Sequence, residues 1–392
     1  MYFKRMVETQ LLDALKTFPV CLITGARQAG KSTLLKHTLK NYKYVTLDDP
    51  LLRALANDDP ELFLSKNPPP VVIDEIQYAP GLLSYIKIRV DENRQSYGQY
   101  VLTGSQIFQL MKGVSESLAG RIAIFTLYPF NWREVLEVPK HQKFDDDTCA
   151  NQIIEGFYPE IVTHHSIEKN LWFGSYLSTY IERDVRNIKS ITDLGRFQTF
   201  IGLLAARAGK LLNLSDIAKE CGITHPTAKD WISILESTYI IYLLRPYHNN
   251  LSKRLVKSPK LYFTDTGMLC YLLGIDNAER FYKSSERGHI FENMVVMEAI
   301  KQLSSQNKRW QCFFYRTASG LEIDLIVEKE GHIDAFEIKL SKTPNREMAQ
   351  PLASFRKEHD VRHSQIICLQ EKTAPLMEHV DSIHWSSFIQ YF

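Results

Sequence analysis

The chain has 392 residues, 44% of them hydrophobic and 23% charged, with a formal net charge of +2. That balance suits two or three folded domains, excludes a largely disordered chain, and excludes nucleic-acid binding driven by bulk charge. The cysteines form no C-x-x-C pair, the N-terminal stretch MYFKRMVETQLLDALKTFPV is too charged for a signal peptide, and no apolar run approaches bilayer-spanning length, so a cytoplasmic protein without disulfides, zinc finger or membrane partner is expected.

In the first third, VCLITG (20–25), YKYVTL (42–47), VVIDE (71–75), YVLTGS (100–105) and IAIFTLY (122–128) are short apolar runs bounded by Gly, Pro or Asp. They predict buried parallel strands, alternating with helices such as KSTLLKHTLKN, in an α/β fold with helices on both sheet faces. KNPPP (66–70) is incompatible with helix interior and delimits the third strand. Residues 131–200 read as mainly helical, with FDDDT (144–148) a solvated loop, His164 and His165 on the surface, and Trp172, Phe173, Tyr176 and Tyr180 in the core.

Between 211 and 245 a helix carrying Leu214, Ile217 and Ala218, capped by Asn213 or Ser215, is followed by the Gly turn CGIT, the helix HPTAKDWISILEST and the strand YIIYLLR. Helix, turn, helix, strand is the plan of a winged helix-turn-helix. From about 285 the helix GHIFENMVVMEAIKQL, strands at 312–316, 321–327 and 334–340, and a stretch containing SQIICLQ predict a smaller α/β unit. The expected boundaries are 1–135, 136–195, 196–250 and 251–392.

Gly25, Ala26, Arg27, Gln28, Ala29, Gly30, Lys31 and Ser32 satisfy G-x-x-x-x-G-K-[ST] between a strand and a helix, with Thr33 directly behind. Such a loop turns its backbone N–H groups inward at a helix N-terminus and attracts phosphate. ATP with Mg²⁺ is the expected ligand: Lys31 reaching the β- and γ-phosphates, the Ser32 hydroxyl on the metal. Asp74, closing VVID, stands where a magnesium-bound water needs a carboxylate, and Glu75 is placed to act as general base. Thr103 or Ser105 would touch γ-phosphate or the attacking water, unless Ser105 is a helix N-cap. Arg121 would either stabilise the leaving phosphate, in its own or a neighbouring subunit, or form a structural salt bridge.

LEIDLIVEKEGHIDAFEIKLS (321–341) alternates with period two in both halves of a hairpin. With the turn centred between Glu330 and Gly331, Asp324 faces Glu337 and Glu322 faces Lys339. Opposed carboxylates repel, and a divalent cation bridging them, with Lys339 beside it and Glu292 added from a helix, would make a metal-dependent phosphodiesterase centre. The other reading pairs Glu322 with Lys339 and leaves Asp324 and Glu337 on a solvated face. Upstream, Thr224, His225, Thr227 and Lys229 on the second helix, followed by Arg245, Lys253, Arg254, Lys257 and Lys260, could meet DNA phosphates or serve as a protein-contact surface.

With these residues in view, the chain resembles a bacterial and archaeal family that joins an AAA-type ATPase module (the AAA-14 type) to a C-terminal domain of unknown function. The resemblance rests on TGARQAGKSTLL, VVIDEIQ, LTGSQ and SLAGRIAIFTLYPFNWREV, then on YLSTYIERDVRNI, SPKLYFTDTGML, RGHIFENMVVMEA and EIDLIVEKEGHIDAFEIKLS. It implies a PD-(D/E)xK nuclease-like distal fold, with Asp324 as first acid, Glu337-Ile338-Lys339 as the ExK element and Glu292 as the helical acid. Ile323 stands where that motif has proline. The resulting expectation is an ATPase, with a homo-oligomer or a protein partner left open, coupled to nucleic acid, DNA ahead of RNA, with a second divalent metal in a nuclease-like half. The alternative is a nucleotide-dependent switch whose nuclease-like half is inactive and binds a protein partner.

Overall fold

The five apolar runs of the first third are strands β1 Val20–Gly25, β2 Lys43–Thr46, β3 Val71–Asp74, β4 Tyr100–Gly104 and β5 Ile122–Leu127. The computed structural model describes residues 2–105, 118–139, 146–164, 166–180, 193–247, 258–306 and 308–392. All strand pairs in the first sheet are parallel, in the order β2-β3-β4-β1-β5. Every residue of β1 is buried, because both faces of the sheet are covered. Val20 and Leu22 join one core with Phe63, Ile73, Leu82 and Leu102; Cys21 and Ile23 join the other with Val7, Leu11, Leu34 and Leu35. The helix Pro60–Lys66 stops before the prolines, and β3 begins at Val71.

Contacts divide the chain into two units: Met1–Phe130 with Ser237–Tyr239 and Ser304–Asn307, and Asn131–Glu236 with Ile240–Leu303 and Lys308–Phe392. In the second unit FDDDT departs from its expected loop. The helix Asp146–Glu155 begins inside it, with Asp146 and Asp147 in a first turn that favours negative charge; Phe144 and Asp145 lie outside the described residues. Phe173, Tyr176 and Tyr180 are buried, and Trp172 stacks on Tyr176.

Helix Leu214–Cys221 is capped by Asn213, whose side chain accepts from the Asp216 N–H, and ends at Gly222 in the left-handed region. Helix His225–Ser237 follows, then β6 Ile241–Leu244 pairs antiparallel with β7 Lys260–Phe263, and Leu211 bridges to Lys260. The boundary expected at 250 therefore falls within one strand pair. Trp231 packs edge-on to Phe197 and Phe200 of helix Leu194–Ala205.

Helix Arg287–Ser304 leads into a mixed sheet of β8 Gln311–Arg316, β9 Glu322–Lys329, β10 His332–Ile338, β11 Val361–Cys368, β12 Ala374–Met377 and β13 Val380–His384, ordered β12-β13-β11-β10-β9-β8. Helix Arg346–Glu358 seals one part of it with Ala349, Leu352 and Phe355. The β9–β10 register runs from His332↔Lys329 to Phe336↔Leu325, as the turn centred at Glu330-Gly331 predicts. Among the described residues no helix is long and apolar enough to cross a membrane.

A side chain at Gly25 has nowhere to go: its φ is +142° and a Cβ would stand 2.0 Å from the Leu127 carbonyl oxygen. Gly25→Ala is therefore expected to cost the first unit about 2 kcal/mol or more in urea unfolding, whereas Gly81→Ala, with nothing within 4 Å of its Cβ, shifts stability by less than about 0.5 kcal/mol. Equal losses for the two variants would contradict this account of the β1–β5 contact.

Candidate functional site

Two polar centres emerge, one in each unit. The first lies at the carboxyl ends of the parallel strands, where α/β sheets bind ligands. β1 ends at Gly25, and the loop turns through Gln28 (φ +58°) and Gly30 (φ +92°) into helix Lys31–Thr38. Arg5 braces this loop: its guanidinium donates to the Ala29 carbonyl at 2.7 Å and to that of Tyr128 at 2.8 Å. The Lys31 ammonium donates to the Gly25 and Ala26 carbonyls, both at 2.9 Å.

Asp74 ends β3 and is buried. Three hydroxyls converge on its carboxylate: Ser32 donates to Oδ2 at 3.0 Å, Tyr44 donates to the same oxygen, and Thr103 donates to Oδ1. Burial and the Asp74 charge push the Tyr44 hydroxyl's pKa up, so it stays a donor. The Thr103 hydroxyl also accepts the Glu75 N–H at 3.0 Å. Glu75 takes the left-handed backbone region at φ +60°, uncommon for a non-glycine, and its carboxylate accepts from the Gln77 amide, which lies 3.4 Å from the Ser105 hydroxyl. Gly25, Ala26, Arg27, Gln28, Ala29, Gly30, Lys31, Ser32 and Thr33 thus share one strand–loop–helix segment with Asp74, Glu75 and Ser105 on neighbouring strand ends. Gln106 and the residues to 117 lie outside the described residues, so Ser105's role as a cap has no structural partner to compare.

Arg121 does not join this centre within its own chain. It precedes β5, and Ile122 pairs with Val20 while Leu127 pairs with Gly25. Five residues of strand, about 16 Å at 3.3 Å each, separate the two ends. Arg121 instead donates to both oxygens of Asp91, at 2.7 and 3.1 Å, and holds that carboxyl down at about 2. The structural salt bridge is the reading realised here.

The second centre gathers Glu292 from helix Arg287–Ser304, Glu322 and Asp324 from β9, Glu337 from β10, and Lys339 just past it. Asp324 and Glu337 are buried, not on a solvated face. Lys339 lies 2.7 Å from Glu337 and 3.5 Å from Asp324, so the Glu322–Lys339 pair of the alternative reading is replaced. Glu322 pairs with Arg316 at 2.7 Å and with Lys260 at 2.6 Å.

Lys260 corrects a second expectation. It is not part of an exposed basic face: it is 2% exposed and its ammonium reaches Glu292 at 2.9 Å and Asp324 at 3.4 Å as well as Glu322. Tyr262, on the same face of β7, donates to Glu292 at 2.7 Å, and His289 Nδ1 lies 3.5 Å from the other Glu292 oxygen. Arg245 is exposed; Lys253, Arg254 and Lys257 lie outside the described residues.

Three cations, Lys260, Lys339 and Arg316, thus face four carboxyl groups. Burial alone would raise Asp324, but the Lys260 and Lys339 ammoniums and the Ile338 N–H, 3.0 Å from Oδ2, hold it below the usual range. Burial and the Asp324 charge push Glu337 up to about 8, which favours its neutral form. Glu337 Oε2 is buried without a hydrogen-bond partner among the described residues. Among those residues no group of three or more His, Cys, Asp or Glu side chains is arranged to hold a metal ion.

Arg5, Tyr44, Gln77 and Lys260 were not singled out for these roles by spacing. Their partners are distant in the chain and no local motif marks them. For Gln77, adjacency to VVIDE was the one available signal.

The AAA domain family matches residues 17–136, and two domains of unknown function match residues 146–279 (DUF8612) and 287–388 (DUF4143). The chain is 30% identical to the uncharacterized protein Rv2008c of Mycobacterium tuberculosis over 87% of its own length and 75% of that protein's. It is 25% identical to the uncharacterized protein MJ1544 of Methanocaldococcus jannaschii over 78% of its length and 71% of the other's. Among solved structures, the Walker-type ATPase paby2304 of Pyrococcus abyssi aligns with a TM-score of 0.47 at 15% identity, covering 69% of this chain and 96% of that one.

Glu337 makes stability pH-dependent. Its pKa in the fold, about 8, is above the ordinary 4.5, so between those values the native state holds a proton that the unfolded chain has released, and stability falls as pH rises. Urea midpoints measured across this window should fall with pH in the wild type and fall less steeply in Glu337→Gln. Buried Glu298, raised to about 7, sustains part of the slope. An unchanged slope in the variant would contradict a protonated Glu337.

Proposed function

The chain belongs to the family of the uncharacterized mycobacterial protein Rv2008c and carries an AAA-type P-loop domain, and from that premise we propose that it is a Mg²⁺-dependent ATPase. The observation that carries this reading is the convergence of Ser32 on Asp74 beside the phosphate-loop lysine. A hydroxyl and a carboxylate 3.0 Å apart suit one magnesium ion, held by Ser32 directly and by Asp74 through water. Held there, the ion would supply positive charge against the negative charge that develops on the phosphate oxygens.

The backbone N–H groups from Ala26 to Thr33 would cradle the phosphates. Lys31, now donating to the Gly25 and Ala26 carbonyls, would turn to the γ-phosphate, a stronger acceptor. Glu75 follows the strand end, with its N–H fixed by Thr103, and would take the proton of the attacking water once Gln77 releases its carboxylate. Ser105, linked through Gln77, would sense the γ-phosphate side of the site.

In the second unit, Leu211, helices Leu214–Cys221 and His225–Ser237, and the antiparallel β6–β7 pair support a winged-helix reading. Thr224, His225 and Lys229 are exposed, which supports contact between the second helix and DNA. The domain beyond it, with Asp324, Glu337, Lys339 and Glu292 in one cluster, supports a PD-(D/E)xK nuclease-like fold. A second reading, in which this fold serves as a scaffold for a protein partner and cuts nothing, is favoured by the two lysines inside the cluster.

Phosphate release with ATP and Mg²⁺ tests the reading. Glu75→Gln should retain ATP binding and lose about 10²–10⁴-fold in turnover. Double-stranded DNA should raise the wild-type rate. Equal rates for wild type and Glu75→Gln would remove Glu75 from its role, and a rate indifferent to DNA would leave the switch reading in place of the DNA-coupled one.

A further inference from the structure

We propose that the Lys260 ammonium is the resident cation of the buried carboxylate cluster, standing where a nuclease-like centre would hold a divalent metal. An ammonium has three N–H donors. Around Lys260 three carboxylates take them: Glu292 at 2.9 Å, Glu322 at 2.6 Å and Asp324 at 3.4 Å. Its donor capacity is filled, and the side chain is 2% exposed.

A magnesium or manganese ion demands oxygen ligands at about 2.0–2.2 Å and keeps several waters. Oxygens from Glu292, Glu322 and Asp324 already surround one nitrogen at hydrogen-bond distances, so the metal position is taken by the chain itself. Lys339 occupies the other side, 2.7 Å from Glu337 and 3.5 Å from Asp324. The residues therefore do not fit a divalent ion in this arrangement, and among the described residues no three of the acids are arranged to hold one. Glu337 Oε2 is a buried carboxyl oxygen with no hydrogen-bond partner among the described residues, while its Oε1 is held by Lys339.

Lys260 is placed by backbone, not by chance contact. It opens β7, pairs with Leu244 in the ladder and bridges to Leu211, so its Cβ direction is fixed by two strands. Removing the ammonium would take a shared cation from buried Glu292 and Asp324 and from half-buried Glu322, leaving Arg316 and Lys339 to offset them, the condition that recruits a cation.

This deepens the scaffold reading, but it stands on the carboxylates alone; a nuclease assay tests that reading, and metal binding tests this one. Mn²⁺ is titrated into nucleotide-free protein, with free Mn²⁺ followed by electron paramagnetic resonance and melting followed by circular dichroism. Wild type and Asp324→Asn should bind Mn²⁺ alike, any weak binding at Asp74 being common to both. Lys260→Ala should gain one Mn²⁺ site, lost again in Lys260→Ala/Asp324→Asn, and its melting temperature should rise with Mn²⁺ while the wild type's does not. A site present in wild type and abolished by Asp324→Asn would overturn the proposal, as would a folded Lys260→Ala that gains none. If Lys260→Ala does not fold, the wild-type and Asp324→Asn pair decides, and Lys260→Gln, which keeps the stem, repeats the gain-of-site measurement.

Discussion

Three hydroxyls from three separate elements meet on one buried carboxylate, and the first unit is organised around that meeting. Asp74 can serve Ser32, Tyr44 and Thr103 together only if β2, β3 and β4 lie side by side and the helix after β1 begins opposite them. A buried carboxylate without such donors would be strongly unfavourable. The same donors aim it toward the phosphate loop. Fold and site are here one constraint: the sheet order that buries the apolar strands also brings Asp74 within hydrogen-bond reach of Ser32.

The second unit solves a harder electrostatic problem. Four carboxyl groups converge near β9 and β10, where Lys260, Lys339 and Arg316 offset them and burial pushes Glu337 toward its neutral form. Buried ion clusters of this kind are weak as net stabilisers but severe when one partner is removed. They specify arrangement: β7, β9, β10 and helix Arg287–Ser304 must all be in register for the charges to cancel. Such a centre holds a fold in one arrangement more readily than it opens to bind a metal.

Much of this was legible in the residues. The five parallel strands were marked by short apolar runs between Gly, Pro and Asp, and the phosphate loop by its glycines. The β9–β10 register follows from a turn centred at Glu330-Gly331, both at positive φ, and alternation along each strand then puts Asp324 and Glu337 on one face. What could not be drawn was long-range. Lys260 sat in a basic run and looked solvated; its carboxylate partners lie 32 and 64 residues away at Glu292 and Asp324. Arg121's exclusion from the phosphate site required the strand register, since it depends on which end of β5 faces Gly25. FDDDT looked like a loop because charge density outweighed the preference of acids for a helix's first turn.

We propose a nucleotide site where the Gly25–Ser32 loop meets Asp74. Calorimetric titration of a non-hydrolysable ATP analogue with Mg²⁺ tests it most directly. One analogue should bind saturably per chain, and Lys31→Ala should lose that binding with the fold intact by circular dichroism. A flat titration of the wild type, or full binding by Lys31→Ala, would contradict it.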